Sequence, residues 1–159
     1  MAHQINIEVD DEVADLVDQV TLLTMLERVL TEDGIEDGAS LALVLADDTL
    51  LHELNLRHRE VDAPTDVLSF PASEGEAFPT PDGEPPFLGD IVVSVESVAR
   101  QAEEVGLATG EELAHVILHG LLHVLGYDHE DPDEEAVMKA REEAVLGPAI
   151  HVGREAHED

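Results

Sequence analysis

The residues from 119 to 129 constrain this chain more than any other stretch. They read His-Gly-Leu-Leu-His-Val-Leu-Gly-Tyr-Asp-His, and the residues before them are apolar at a helical period. Residues four apart share one face of a helix, so we expect His119 and His123 side by side. Gly126 is expected to end the helix, because glycine adopts the left-handed conformation without steric cost. The turn there would bring His129 back to the same point.

Three imidazoles around an open fourth position form the ligand set of a catalytic zinc site. A structural zinc site is more often closed by cysteine, and the chain contains no cysteine. A single histidine in an apolar helix is usually just packed and hydrogen-bonded, but three of them with a glycine at the turn favour a metal. We therefore predict one Zn²⁺ per chain, with His119, His123 and His129 as its ligands.

The same spacing occurs in the zinc-protease motif H-E-x-x-H-x-x-G-x-x-H, with one departure. Gly120 stands where that motif has the glutamate that acts as general base. The metal ligands of such a peptidase are therefore present and its base is absent. Because glycine inside a helix costs about 1 kcal/mol relative to alanine, a close approach of backbone or substrate would explain Gly120.

The chain is strongly acidic around an ordinary apolar fraction. It has 159 residues, of which 43% are hydrophobic, and 38 acidic against 7 basic residues give a net charge of −31. The acidic residues are spread along segments with a helical apolar period, which disfavours disorder. Molar salt screens such self-repulsion within about 3 Å, so the composition indicates a protein from a halophile.

The length predicts one domain, here residues 1–150, followed by a polar tail at 151–159. No apolar run approaches the roughly 20 residues that cross a membrane. The N-terminus lacks the charged and apolar regions of a signal peptide. We therefore expect a cytoplasmic protein with no membrane partner.

Apolar periodicity, turns and caps predict the secondary structure. The predicted elements are a strand at 5–9, a helix from Asp10 or Asp11 to about Thr31, a strand at 41–45 with both faces covered, a short helix capped by Asp47 or Asp48 that ends near Arg57, strands at 67–70 and 91–95, a helix at 96–105, the histidine helix with a Thr109–Glu112 capping box, and a helix from Asp131 to Gly147. Residues 71–88 are expected to form a long surface loop. The order predicts a single-domain mixed α/β (α+β) fold, with about four strands, about five helices and the histidine motif on a central helix.

Two arginines stand out because the chain has so few. Arg57 and Arg59 flank His58, and no other stretch concentrates positive charge in this way. The planar guanidinium donates two parallel hydrogen bonds to a phosphate, so an anion-binding role is favoured over a solvated surface. Asp66 and Asp90 each precede an apolar run, and either could orient a ligand histidine or cap a local turn. Asp128, beside the third histidine, has the same two interpretations.

Three blocks of the sequence, in this order, resemble the YbeY family, the bacterial metal-dependent endoribonucleases of ribosomal RNA maturation. The blocks are 54–59 leading into 64–71, then 88–91, then the histidine motif at 119–129. The resemblance implies one α/β domain with zinc on His119, His123 and His129. It also implies a single-strand-specific ribonuclease that processes small-subunit ribosomal RNA and acts in ribosome quality control. Arg59 matches the family's functional arginine beside the metal cleft, whereas the large negative charge departs from the family's pattern.

The leading hypothesis is therefore a zinc-dependent endoribonuclease in which Arg59 is catalytic and Arg57 and Arg59 bind RNA. The general base is unassigned. The expected partners are single-stranded ribosomal RNA and, on the ribosome, ribosomal proteins or a ribosome-associated GTPase. Two alternatives stay open: a metallopeptidase-like hydrolase, and a non-catalytic ribosome assembly factor with a structural zinc.

Overall fold

A computed structural model describes residues 3–71, 87–127 and 131–147. Its strands are β1 (Gln4–Val9), β2 (Ser40–Ala46), β3 (Val67–Pro71) and β4 (Phe87–Ser94). Its helices are a 3-10 helix (Asp11–Leu16), α1 (Gln19–Glu32), α2 (Asp48–Arg59), α3 (Val95–Val105), α4 (Thr109–Val124) and α5 (Pro132–Leu146). The predicted loop at 71–88 and the predicted tail at 151–159 lie almost wholly outside the described residues.

The four strands form one mixed sheet in the order β1-β2-β4-β3. β1, β2 and β4 run parallel, and the edge strand β3 is antiparallel to β4. The parallel pairs need helical crossovers, which α1, between β1 and β2, and α2, between β2 and β3, supply. The predicted fold class, with a mixed four-stranded sheet and five α-helices among the described residues, is confirmed.

The two faces of the sheet are covered unequally. Leu41, Leu43 and Leu45 of β2 and Ile91 of β4 point into the main core, against α1 and α4. The alternate residues face the other side, where α2 packs over a smaller cluster of Leu51, Leu68 and Val92. Because α4 lies in the main core, nine of its residues are buried, and α5 packs against its outer side.

Both faces of β2 are covered, as predicted, but unequally. The residues of β2 that face α2, Ala42 and Val44, are only half-buried, because a single helix covers that side.

Two helix starts also differ from the prediction. The helix expected from Asp10 to Thr31 is two helices, because Val17 is extended and Asp18 caps α1 by accepting a hydrogen bond from the Thr21 N–H. The Thr109–Glu112 capping box is wrong by one residue: α4 is preceded by Ala108, whose N–H donates to the carboxylate of Glu111. Glu112 is instead buried, with 1% of its surface exposed.

Gly120 lies where α4 comes closest to the sheet. A Cβ added to Gly120 would be 3.1 Å from Cγ2 of Ile91 and 3.4 Å from Cγ2 of Val67. Ile91 is fully buried, so it has little room to yield. The expected close approach at Gly120 is therefore made by the strands β3 and β4, and it lets the histidine helix pack tightly on the sheet.

We predict that Gly120→Ala lowers the free energy of unfolding by about 1 kcal/mol, because overpacking costs about 1–3 kcal/mol and exceeds the gain in helix propensity. Gly110→Ala is the matched control in the same helix, since its added Cβ meets nothing within 4 Å. That variant should be stabilised by up to about 1 kcal/mol. Urea denaturation of both proteins measures the difference. Equal stabilisation of the two variants would contradict the close contact.

Candidate metal centre

Helix α4 brings two of the predicted ligands together. The Nε2 atoms of His119 and His123 are 3.2 Å apart, and their ring centroids are separated by 4.7 Å. The side chain of His119 is 36% exposed, so the pair is accessible from solvent. The expectation that His119 and His123 lie side by side is borne out in the geometry of the helix.

A buried carboxylate lies behind this pair. Oε2 of Glu142 on α5 is 2.8 Å from Nδ1 of His119, and the Glu142 side chain is 3% exposed. Burial raises the pKa of Glu142, but hydrogen bonds and Coulombic attraction from His115 and His119 outweigh it and hold that pKa far below its ordinary range. Glu142 is therefore an ionised group inside the protein.

Glu142 is bound from two sides. Its second oxygen, Oε1, is 3.0 Å from Nε2 of His115, one helical turn before His119. Nδ1 of His115 is in turn 3.5 Å from the carboxylate of Glu112, a residue that is almost fully buried. A continuous row of acid and imidazole groups thus runs from the core side of α4 to the accessible pair.

The contact with Glu142 decides which nitrogen of His119 is available. A carboxylate oxygen 2.8 Å from the outer ring nitrogen is the usual acceptor for a metal-binding histidine, so this contact assigns the proton to Nδ1 of His119. In the neutral ring the lone pair is then on Nε2, the atom that faces His123. Two nitrogens at about 2.0–2.1 Å from a tetrahedral zinc ion are separated by about 3.3 Å, so the observed 3.2 Å between the two Nε2 atoms fits a shared metal ion.

The end of α4 is fixed by contacts on both sides. Gly126 has φ of 102°, and the N–H of Tyr127 donates to the carbonyl of Leu122 at 2.9 Å, so the predicted helix stop at Gly126 is confirmed. The hydroxyl of Tyr127 donates to Asp33 at 2.9 Å, and Arg141 of α5 binds the same carboxylate. His129, the predicted third ligand, lies outside the described residues, and so does Asp128.

The two predicted RNA-binding arginines lie in the last turn of α2. Arg57 donates to the carboxylate of Glu53 at 2.6 Å. His58 contacts Phe70 of β3 edge to face, with ring centroids 5.2 Å apart. Arg59 is exposed and is the only basic residue of the described segments for which no carboxylate lies within ion-pair distance.

The arginines and the histidines lie on elements that pack on opposite faces of the sheet. Helix α2 covers one face and α4 the other, and the edge strand β3 is in contact with both helices.

The carboxylates singled out from the sequence have other partners. Asp66 accepts hydrogen bonds from Gln101 at 3.1 Å and Thr65 at 3.3 Å, so it links β3 to α3. Asp90 lies on the side of β4 that faces α2, and burial raises its pKa. Asp66 thus makes one contact with its neighbour Thr65 and one with α3, whereas the carboxylate at hydrogen-bonding distance from a predicted ligand histidine is that of Glu142.

Glu142 is identified by the structure and not by the sequence pattern. Met138 and Glu142 are the two fully buried residues of α5, and they stand four apart. A buried carboxylate requires a partner, because an isolated buried charge is strongly unfavourable, but nothing in the sequence indicates that residue 142 faces inward. His115 is visible in the sequence as the first of three histidines spaced by four residues.

The fold and this cluster define a single-domain α+β protein with a histidine–carboxylate site on its central helix. The family described as endoribonuclease YbeY matches residues 3–149. The chain belongs to the YbeY family.

Relatives named endoribonuclease YbeY agree with this assignment, and a solved structure is similar in fold. An endoribonuclease YbeY from Roseiflexus castenholzii is 41% identical over 152 residues, which cover 95% of each chain. Another from Chloroflexus aggregans is 44% identical, covering 92% of this chain and 95% of the relative. The solution structure of TM1509 from Thermotoga maritima superposes with a TM-score of 0.59 at 26% identity, over 98% of this chain and 97% of that one.

Proposed function

We propose that this protein is a zinc-dependent endoribonuclease that cleaves single-stranded RNA. The observation that carries the proposal is the pair of Nε2 atoms, 3.2 Å apart, on the histidine motif of a YbeY-family chain. Two relatives, 41% and 44% identical to this chain, are named endoribonucleases. The domain would comprise residues 1–150.

The residues proposed to hold one zinc ion are His119, His123 and His129. A zinc ion bound there would lower the pKa of a coordinated water and polarise a phosphate. Two features of the protein would support this chemistry. Glu142 would keep the proton on Nδ1 of His119, and the exposed edge of His119 leaves room for a substrate. No described residue is assigned as general base.

Arg59 is proposed to bind the scissile phosphate and to stabilise the charge that develops on it. Its support is the contrast with the other described basic residues, each of which is already neutralised by a carboxylate. Among the residues that the structure describes, no carboxylate lies within ion-pair distance of Arg59, so its guanidinium is available there for an anion from outside. Arg57 would assist more weakly, because Glu53 competes for its guanidinium.

The metallopeptidase alternative is disfavoured by the position of Gly120. The residue at 120 faces β3 and β4, with Ile91 and Val67 in contact distance of any Cβ. A carboxylate at this position would therefore enter the main core rather than reach a substrate. The assembly-factor alternative, with a purely structural zinc, is disfavoured by the accessible His119.

We infer that the substrate belongs to small-subunit ribosomal RNA and that the enzyme acts in ribosome maturation and quality control, with ribosomal proteins or a ribosome-associated GTPase as partners. This inference rests on the resemblance of the sequence blocks and on family membership. In the described part of the chain no helix is both long and apolar enough to cross a membrane. We propose a cytoplasmic location.

We also propose that the acidic surface is an adaptation to concentrated salt. The net charge of −31 surrounds a well-packed core of leucine, isoleucine and valine. RNA binding through counter-ion release weakens steeply as salt rises. A nuclease in such a medium would depend on short contacts, such as a metal ligand and a bidentate arginine.

Cleavage is expected to require both the metal and the histidine pair. Zinc-loaded protein should cut single-stranded RNA in molar potassium chloride and leave duplex RNA intact. It should also leave casein intact, because position 120 offers no peptidase base. His123→Ala should lose cleavage to the level of the metal-free protein. His58→Ala, which removes a histidine from α2, should retain zinc. Casein hydrolysis without RNA cleavage would contradict the proposal.

Arg59→Gln should reduce the rate of RNA cleavage by about 100-fold, since removing one donor to developing charge has effects of this size. Arg59→Lys should recover part of the activity, because lysine keeps the charge and loses the fork. Arg57→Gln is the matched control in the same helical turn and should have a much smaller effect, since Arg57 is already paired. Single-turnover cleavage rates measure all three. Equal losses for the Arg57 and Arg59 variants would contradict the assignment.

Stability should rise with salt, because screening relieves self-repulsion. We expect the melting temperature at neutral pH to increase by at least about 5 °C between dilute and molar potassium chloride, a shift that corresponds to about 1–2 kcal/mol. Near pH 4, where carboxyl groups approach their ordinary pKa of about 4, the gain should shrink. A melting temperature that does not depend on salt at neutral pH would contradict the adaptation.

A further inference from the structure

We propose that Glu142, held by His115, is a positioning residue that sets the orientation and tautomer of His119 for the metal. The proposal rests on the proposed metal site at His119 and His123 and extends it to the buried Glu142 and the partly buried His115. Helix α5 would thereby complete the site through one side chain.

The geometry supports this role because both oxygens of Glu142 are used. Oε2 lies 2.8 Å from Nδ1 of His119, and Oε1 lies 3.0 Å from Nε2 of His115. Two anchors fix the plane of the carboxylate, whereas one would leave it free to rotate. His115 and His119 are one turn apart on α4. The carboxylate therefore bridges two consecutive turns of the helix that carries the predicted ligands.

His115 extends the support into the core. Its side chain is 14% exposed, and its Nδ1 faces the carboxylate of Glu112, whose side chain is 1% exposed. The contact of Nε2 of His115 with Oε1 of Glu142, at 3.0 Å, keeps the carboxylate beside His119. Glu112, His115, His119 and His123 thus form one stripe along α4, and their exposure increases from the core to the accessible pair.

Helix docking alone does not account for such a group. Burying a carboxylate costs several kcal/mol, and well-packed apolar residues often give equal or greater stability than a buried ionic cluster. Helix α5 buries only Met138 and Glu142, so an apolar residue at 142 would be the simpler way to attach it. A carboxylate on the outer nitrogen of a metal-binding histidine, by contrast, fixes the ring and raises its basicity.

The test is the zinc affinity of Glu142→Gln, measured by competition with a chromophoric chelator. The substitution keeps the shape and removes the charge, and we expect the affinity to fall by about 10–100-fold, as for other residues that support metal ligands. Glu135→Gln is the matched control on the same helix. In the described part of the chain, the side chain of Glu135 pairs with Lys139 at the helix surface and does not reach the histidines. That variant should bind zinc like the unmodified protein.

A second readout follows the tautomer directly. Long-range proton–nitrogen correlation spectra of the metal-free protein should show His119 protonated on Nδ1, and in Glu142→Gln this preference should weaken. A residue that only attached α5 would change the melting temperature and leave both zinc affinity and tautomer unchanged. If Glu142→Gln does not fold, His115→Gln carries the same test, with an expected loss of affinity of about tenfold.

The outcomes separate this inference from the function on which it rests. Folded unmodified protein that binds no zinc would overturn both. Unmodified protein that binds zinc, together with a folded Glu142→Gln variant of the same affinity and an Nδ1-protonated His119, would overturn the positioning role alone.

Discussion

The contact between the Glu142 carboxylate and the histidines of α4 is the interaction on which the rest of the site depends. It joins the last helix to the central one and places an ionised group where water is excluded. Without His115 and His119 that charge would be costly to bury. With this contact in place, Nε2 of His119 faces His123. Docking of α5 and assembly of the site are therefore one event.

The sheet sets where this contact can form. Gly120 lets α4 lie close to Ile91 and Val67, and the same close packing points the residue at 120 away from solvent. The histidines on the neighbouring turns consequently lie along the side of α4, where α5 can reach them. Arg141 and Glu142 are consecutive in α5, and the first binds Asp33 at the end of α1 while the second binds α4. These two adjacent polar contacts add to the apolar contacts that Met138, Val145 and Leu146 of α5 make with the main core.

Features that depend on nearby residues were predictable from the sequence. The i, i+4 histidine pair, the stop at Gly126 and the caps at Asp47 and Asp131 follow from local geometry and were found as expected. The break before α1 was missed because the apolar period runs through it, and only the hydrogen bond from Thr21 to Asp18 reveals it. The supporting carboxylate was sought near the ligands in the strands, at Asp66 and Asp90. It comes instead from a residue 23 positions after His119, a pairing that only tertiary packing decides.

The central claim is that α4 offers its two Nε2 atoms to one metal ion with Glu142 behind them. A crystal structure of the zinc-loaded protein, with anomalous data recorded at the zinc edge, tests it most directly. The account predicts one strong anomalous peak about 2.0–2.1 Å from Nε2 of both His119 and His123, with Glu142 retained on Nδ1 of His119. A peak bound by the Glu142 carboxylate, or one remote from this pair, would contradict it.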